Sequence, residues 1–406
     1  MANILIYVND SLGELDWIAP FIKSTEGKKF NFYIFLNGPG KTYTEKIDIL
    51  NIYSLIDENI FILNKDTKID RYLFKIDNFL NKVLARINKF SYRAFIFFRK
   101  LIDILRYVFS HIYKKEKKIK FQYIFRDYNL KDSFLLSLYI NNNKNAKIVI
   151  YPHAVGLQRK HVDCPRNSVK KVKANLWLEN SHLADLVKDS KYYGDIFFAS
   201  GAPALSENYD KKSLFNIKSK KILVITRDCG KVYGFEYDDA FKAFEKIVVK
   251  SKKLGLIVVV KHHPRDKKID KWREIQNKFS NIQELNGSLN NIEEEYKACF
   301  SLFSTASLFA LSRQIPVFEF SPYKPCIEYG YKMPFHYCDK NGLLTHDLLD
   351  LKLFYRLSNI EDFEKSLKSE ILQELSKKQF KICREIFSNN ANRKIVNKLI
   401  EIIDER

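Results

Sequence analysis

A chain of 406 residues is too long for one ordinary hydrophobic core and long enough for two domains. Its residues are 46% hydrophobic, enough to bury both, but no run of about eighteen uncharged apolar residues occurs, so no membrane span is expected. The formal net charge of +21 admits nucleic acid, an anionic membrane or an acidic substrate as partner, while a Lys-, Ile-, Asn- and Phe-rich composition of the AT-rich-genome kind accounts equally well for much of the excess.

The N-terminus, Met1 to Asp10, has no basic residue before its short apolar run, so 3–8 reads as a first strand and not as a signal peptide. The loop that follows carries Glu14 and Asp16, either a catalytic base and a substrate contact or a solvated helix start favoured by the helix dipole. A helix to about Lys23, a strand at 30–36 and a further strand–helix pair at 42–63 continue the alternation. Strands alternating with helices indicate a parallel sheet covered on both faces, with ligands at the carboxyl ends of the strands.

Residues 66–120 differ. Apolar and aromatic residues recur at helical spacing (Tyr72, Ile76, Phe79, Leu80, Val83 and onward), and Lys and Arg number fifteen against five Asp and Glu. Two basic amphipathic helices fit. They pack on the sheet, lie on an anionic membrane surface, or line a groove for a long anionic acceptor. Nucleic acid is not expected, since no recognition motif accompanies the charge.

A strand at 121–125 leads to Arg126 and Asp127, and a helix at 131–140 follows. The strand at 147–151 delivers His153 to a Pro/Gly turn. Another strand at 174–180, a helix at 182–189 and a strand at 196–203, with a Gly-Ala-Pro end, complete the first half. The polar stretch Ser206–Lys220 holds the domain boundary. The second half restarts at 221–225 and ends that strand in Thr226 and Arg227. After a helix at 238–253, the run 256–260 feeds into Lys261-His262-His263-Pro264. Some forty residues on, Ser304-Thr305-Ala306-Ser307 opens an apolar helical stretch, and Ile315 to Phe320 is a further buried run. Residues 345–406 read as mostly helical, with a final helix from about Ser376 to Glu405.

Three successive strand ends thus carry hydroxyls, cations and an imidazole: Thr226 and Arg227, Lys261 and His263, Ser304, Thr305 and Ser307. Phosphate oxygens need such donors, and the hydroxyl cluster is placed to cap a helix. An acceptor hydroxyl also needs a base; His153, Asp127, Glu14 and Asp16 are the candidates. The six cysteines are scattered, with no Cys-x-x-Cys pair and no zinc spacing, which predicts reduced thiols in a cytoplasmic protein without a metal.

The pattern resembles bacterial glycosyltransferases of the two-Rossmann GT-B fold that build surface polysaccharides: sialyltransferases, Kdo transferases and CDP-glycerol glycerophosphotransferases. The likeness rests on Gly201-Ala202-Pro203, Ile222 to Arg227, Lys261-His262-His263-Pro264, and Ser304-Thr305-Ala306-Ser307 with Ile315-Pro316-Val317-Phe318, and covers roughly 150–325. It implies that His263 and Pro264 contact the donor nucleotide and that Ser304, Thr305 and Ser307 bind its phosphate. It also implies a base or acceptor role for His153 in Pro152-His153-Ala154-Val155-Gly156. The acidic-acidic-Gly motif of the sialyltransferases has no match, which leaves the base unassigned.

The expectation is therefore an α/β protein of two Rossmann-like domains facing a cleft. An acceptor domain spans 1–205 and carries the basic helices; a nucleotide-donor domain spans 206–380; a helix at 381–406 returns to the first domain. The expected activity is metal-independent transfer of a sugar, favoured as a CMP-linked acidic sugar, to a capsule or lipopolysaccharide glycan, with a base acting across the cleft. The enzyme would need no cofactor and sit at the inner face of the inner membrane. The alternatives are a CDP-alditol glycerophosphotransferase and a non-catalytic polysaccharide- or membrane-binding subunit.

Overall fold

Val, Ile, Leu and Phe fill the strands with little polar alternation, as expected where helices cover both faces of a parallel sheet. The computed structural model describes residues 2–8, 14–25, 30–36, 60–62, 97, 101, 119–127, 139, 140, 142–151, 172, 173, 175–178, 192, 193, 196–199, 201–227, 235–263, 266, 268–324, 337, 338, 341–387, 397 and 401. Nearly all of the basic segment 66–120, the expected helix at 182–189, His153 and Pro264 lie outside the described residues, as do the side chains of Asp16 and Asp127.

The chain divides into two compact units. Met1–Ala154, Cys164–Pro203 and Asn392–Arg406 form the first; Val155–Asp163 and Ala204–Ala391 form the second. In the first, β1 (Ala2–Val8) is followed by helix α1 (Leu15–Lys23), β2 (Phe30–Leu36), β3 (Ile60–Ile62), β4 (Tyr123–Asp127) and β5 (Lys147–Tyr151). Then come β6 (Val172–Lys173), β7 (Asn175–Leu178), β8 (Tyr192–Tyr193) and β9 (Ile196–Ala199). Seven of these make one parallel sheet in the order β3-β2-β1-β4-β5-β7-β9, and β6 pairs with β8 separately. Phe21 of α1 packs on the sheet against Phe32, Phe125 and Trp177.

The second unit repeats the plan. Its sheet runs β12-β11-β10-β13-β14-β17, all parallel. The strands are β10 (Lys221–Ile225), β11 (Ile257–Lys261), β12 (Ile282–Glu284), β13 (Cys299–Ser301), β14 (Val317–Glu319) and β17 (Tyr355–Arg356); a small antiparallel pair, β15 (Tyr337–Cys338) and β16 (Leu344–Thr345), lies outside it. Helix α2 (Tyr237–Lys253) buries Ala240, Phe241, Ala243, Phe244, Ile247 and Val248, one stripe at 3.6-residue spacing. Helix α3 (Ile269–Asn277) contributes the buried Trp272, whose indole N–H donates to Asp266 Oδ2 at 2.7 Å.

One expectation for the C-terminal region holds and one changes. The described residues 345–387 are mostly helical, as expected, with the two-residue β17 added to the sheet beside β14. The long helix, α5 (Ser369–Phe387) after the short α4 (Ser307–Ser312), begins seven residues before Ser376. Its buried Gln379 accepts from Val317 N–H at 2.9 Å and donates to Val317 carbonyl at 2.8 Å, completing backbone pairing where β17 has not yet begun.

Candidate functional site

In the second sheet the chain runs outward from β10 to β11 and β12, then returns to β13 on the other side of β10. The carboxyl ends of β10 and β13 therefore flank a topological switch point, the place where open α/β sheets leave a crevice for ligand. Thr226 and Arg227 follow β10, and the Phe303-Ser304-Thr305 turn follows β13.

That turn is strained and heavily held. Phe303 has φ of 65°, a left-handed conformation unfavourable for a bulky side chain. Its N–H donates to Glu319 Oε1 at 2.7 Å, and its carbonyl accepts from Arg227 Nη1 at 3.1 Å. The Ser301 hydroxyl donates to Glu319 Oε2 at 2.6 Å, and Ser304 N–H donates back to Ser301 Oγ at 3.1 Å. Glu319 is completely buried at the end of β14, with His346 Nε2 3.3 Å from Oε2. The His346 ring meets Phe303 edge-on. One carboxylate thus fixes both ends of a turn whose outer side carries Thr305 and Ala306, whose N–H groups donate to no described residue.

The expected hydroxyl cluster separates into three parts. Ser304 is buried and belongs to the internal bonding of the turn. Thr305 is exposed. Ser307 is completely buried; its hydroxyl lies close enough to influence the Cys299 thiol, yet makes no hydrogen bond of ordinary geometry. The helix-capping expectation fails, because α4 starts without a side-chain cap and is only six residues long. A strained turn braced by Glu319 takes its place.

The His-His-Pro end of β11 is also redistributed. Lys261 reaches across to the carbonyl of Gly287, and burial pulls its amine below the usual lysine range despite the nearby Glu284. His263 is half-buried, and its carbonyl accepts from Asp266 N–H at 3.0 Å. His262, which the motif pattern passed over, is buried and joined to the β10 end: its Nδ1 lies 3.3 Å from Thr226 Oγ1 and its Nε2 lies 2.7 Å from Gln276 Nε2. Burial first, then Arg273 and Lys261, lowers its pKa to about 4. Glu319 had a legible signal in the sequence. A lone carboxylate inside the run 315–320 is a buried charge that must be paired.

In the first unit the equivalent switch point lies between β1 and β4. Glu14, between β1 and α1, is completely buried. The Tyr151 hydroxyl at the end of β5 donates to Tyr7 carbonyl at 2.8 Å and lies 3.3 Å from Glu14 Oε2. Arg126, paired in register with Tyr7, is buried at the end of β4. The solvated-helix-start reading of Glu14 is therefore wrong for that residue.

No protein-family model matches the sequence, and no curated protein matches it. Solved structures do. S. aureus MnaA bound to UDP superposes with a TM-score of 0.57 at 14% identity, covering 100% of this chain and 97% of that one. UDP-GlcNAc 2-epimerase from Neisseria meningitidis, bound to UDP-GlcNAc, gives 0.52 at 10% identity over 98% and 100%. HepE of Anabaena, in complex with UDP-glucose, gives 0.53 at 7% identity over 99% and 100%. Full coverage of both sheets at these scores shows the fold: two Rossmann-like α/β domains of the GT-B kind.

Proposed function

We propose that this chain is a nucleotide-sugar enzyme whose second unit holds the nucleotide, and that it transfers the sugar in surface-polysaccharide assembly. The observation that carries the reading is the Phe303 turn at the β10/β13 switch point. Backbone strain braced by a buried carboxylate is costly, and such strain clusters where a ligand is held. The Thr226 hydroxyl and the Thr305 and Ala306 N–H groups supply donors at that point, and donors of this kind stabilise a departing phosphate.

Three structures similar in fold hold UDP, UDP-GlcNAc or UDP-glucose. That favours a uridine donor over the CMP-linked acidic sugar expected from the sequence. Likeness to a 2-epimerase also supports a second reading, in which a UDP-sugar is epimerised instead of transferred. Titration calorimetry with UDP, CMP and CDP separates the nucleotides; we expect UDP to bind with Kd below about 1 mM. Proton NMR of the chain with UDP-GlcNAc then separates the reactions. UDP released only when a glycan acceptor is added means transfer, and a 2-epimer formed without acceptor means epimerisation. Binding of none of the three nucleotides would overturn both and leave the non-catalytic subunit.

Attachment to an anionic membrane belongs to the same proposal. Its support is the excess of fifteen basic over five acidic residues at 66–120 and the exposed, helical Phe97 and Leu101, four residues apart. No described helix is long and apolar enough to cross a membrane. The chain should float with vesicles containing phosphatidylglycerol and not with pure phosphatidylcholine, and salt at 0.5 M should release it. Equal flotation with both would sink the electrostatic account.

A further inference from the structure

His262 and Gln276 have no assigned part in nucleotide binding, yet they connect directly to the β10 end. The amide nitrogen of Gln276 can only donate, so His262 Nε2 must accept its proton at 2.7 Å. A neutral ring that accepts at Nε2 carries its own proton on Nδ1. The ring is held neutral by burial and by the cations Arg273 and Lys261; Asp266, the acidic group nearby, is occupied by the Trp272 indole. The Nδ1 proton therefore goes to Thr226 Oγ1 at 3.3 Å.

This fixes the Thr226 hydroxyl. Its oxygen accepts from His262, so its own proton must point elsewhere. Thr226 is 1% exposed, and no described residue accepts that proton. A buried donor without an acceptor carries a free-energy penalty that an incoming oxygen removes. The donor stands at the carboxyl end of β10, beside the switch point, where that oxygen would arrive.

We propose that His262 is a positioning residue that sets Thr226 as a hydrogen-bond donor to a phosphate oxygen of the bound nucleotide. The ring acts through Thr226 and does not touch the phosphate as a cation. The proposal rests on the nucleotide-binding reading above and assigns one donor within it.

Two measurements test it, one without ligand. In protein labelled with 15N-histidine, the His262 signals, identified by their loss in H262N, should show the Nδ1–H tautomer and no titration between pH 5.5 and 8. An Nε2–H tautomer, or protonation near pH 6.5, would overturn the relay whether or not nucleotide binds. The second measurement is calorimetry with UDP as the probe. H262L and T226V should each weaken binding about tenfold, the scale of one hydrogen bond to a charged group. The double variant should be no weaker than either single one, because both remove the same donor. H262N, which keeps an N–H on the Nδ1 side, should weaken binding less than threefold, with thermal unfolding reported for every variant. Unchanged binding in H262L, or independent losses that multiply, would overturn the proposal while leaving nucleotide binding standing. A wild-type chain that binds no nucleotide would overturn the reading itself and this role with it.

Discussion

Replacing Glu319 with alanine is expected to destabilise the second unit by about 3 kcal/mol, a large share of the stability of an ordinary domain. The carboxylate is completely buried and accepts from Phe303 N–H and Ser301 hydroxyl at 2.7 and 2.6 Å. Truncation leaves both donors unsatisfied away from water, at about 1–3 kcal/mol each, and adds a cavity. It also releases a backbone that only such contacts hold at φ of 65°. Chemical denaturation followed by circular dichroism measures the loss. E319Q keeps the volume and one acceptor, so its loss should be about half as large. A loss below about 1 kcal/mol in E319A would mean that the turn keeps its shape without the carboxylate. Nucleotide binding should fall in E319A even at temperatures where the variant stays folded, because the turn that presents Thr305 and Ala306 is no longer fixed.

The main strands of this fold were legible because burial on both faces leaves a strong apolar signal. Runs such as Leu223-Val224-Ile225 and Val258-Val259-Val260 read as parallel strands and are fully buried in the second sheet. The clustering of Thr226, Arg227 and the 304–305 turn was legible too, since residues at successive strand ends converge in such sheets. The division of labour among them was not. Whether Ser307 faces ligand or core is decided by where a six-residue helix starts, and local sequence does not fix that to one residue. Similarly, Lys261-His262-His263 offers three nitrogen-bearing side chains in a row, and strand alternation alone does not say which is tied to a neighbouring element. The contacts with Gly287 and Gln276 come from chain segments 14 to 26 residues away. β17, two residues long, carries too little apolar pattern to be seen at all.

The largest effect on turnover is expected at Glu14. Of the four carboxylate and imidazole candidates for a base, it is the one whose side chain is described, and it is completely buried beside the Tyr151 hydroxyl. Tyr151 has a single proton and donates it to Tyr7 carbonyl at the shorter distance of 2.8 Å, so the 3.3 Å contact with Glu14 is the weaker of the two. A carboxylate out of water at a switch point suits proton transfer, whether the proton comes from an acceptor hydroxyl or from a sugar carbon. In E14Q the group keeps its size and loses its basicity. Turnover should fall about 10²–10⁴-fold, the usual range for a lost acid–base group. UDP affinity should stay within about twofold, because the proposed nucleotide donors belong to the second unit. Y151F should reduce turnover far less, since the phenol orients the carboxylate without carrying the proton. A purely structural Glu14 predicts the reverse pattern: E14Q and Y151F would lower thermal stability alike, and turnover per folded molecule would stay near that of the wild type. Rates normalised to the folded fraction, measured for both variants with UDP-GlcNAc, decide between the two.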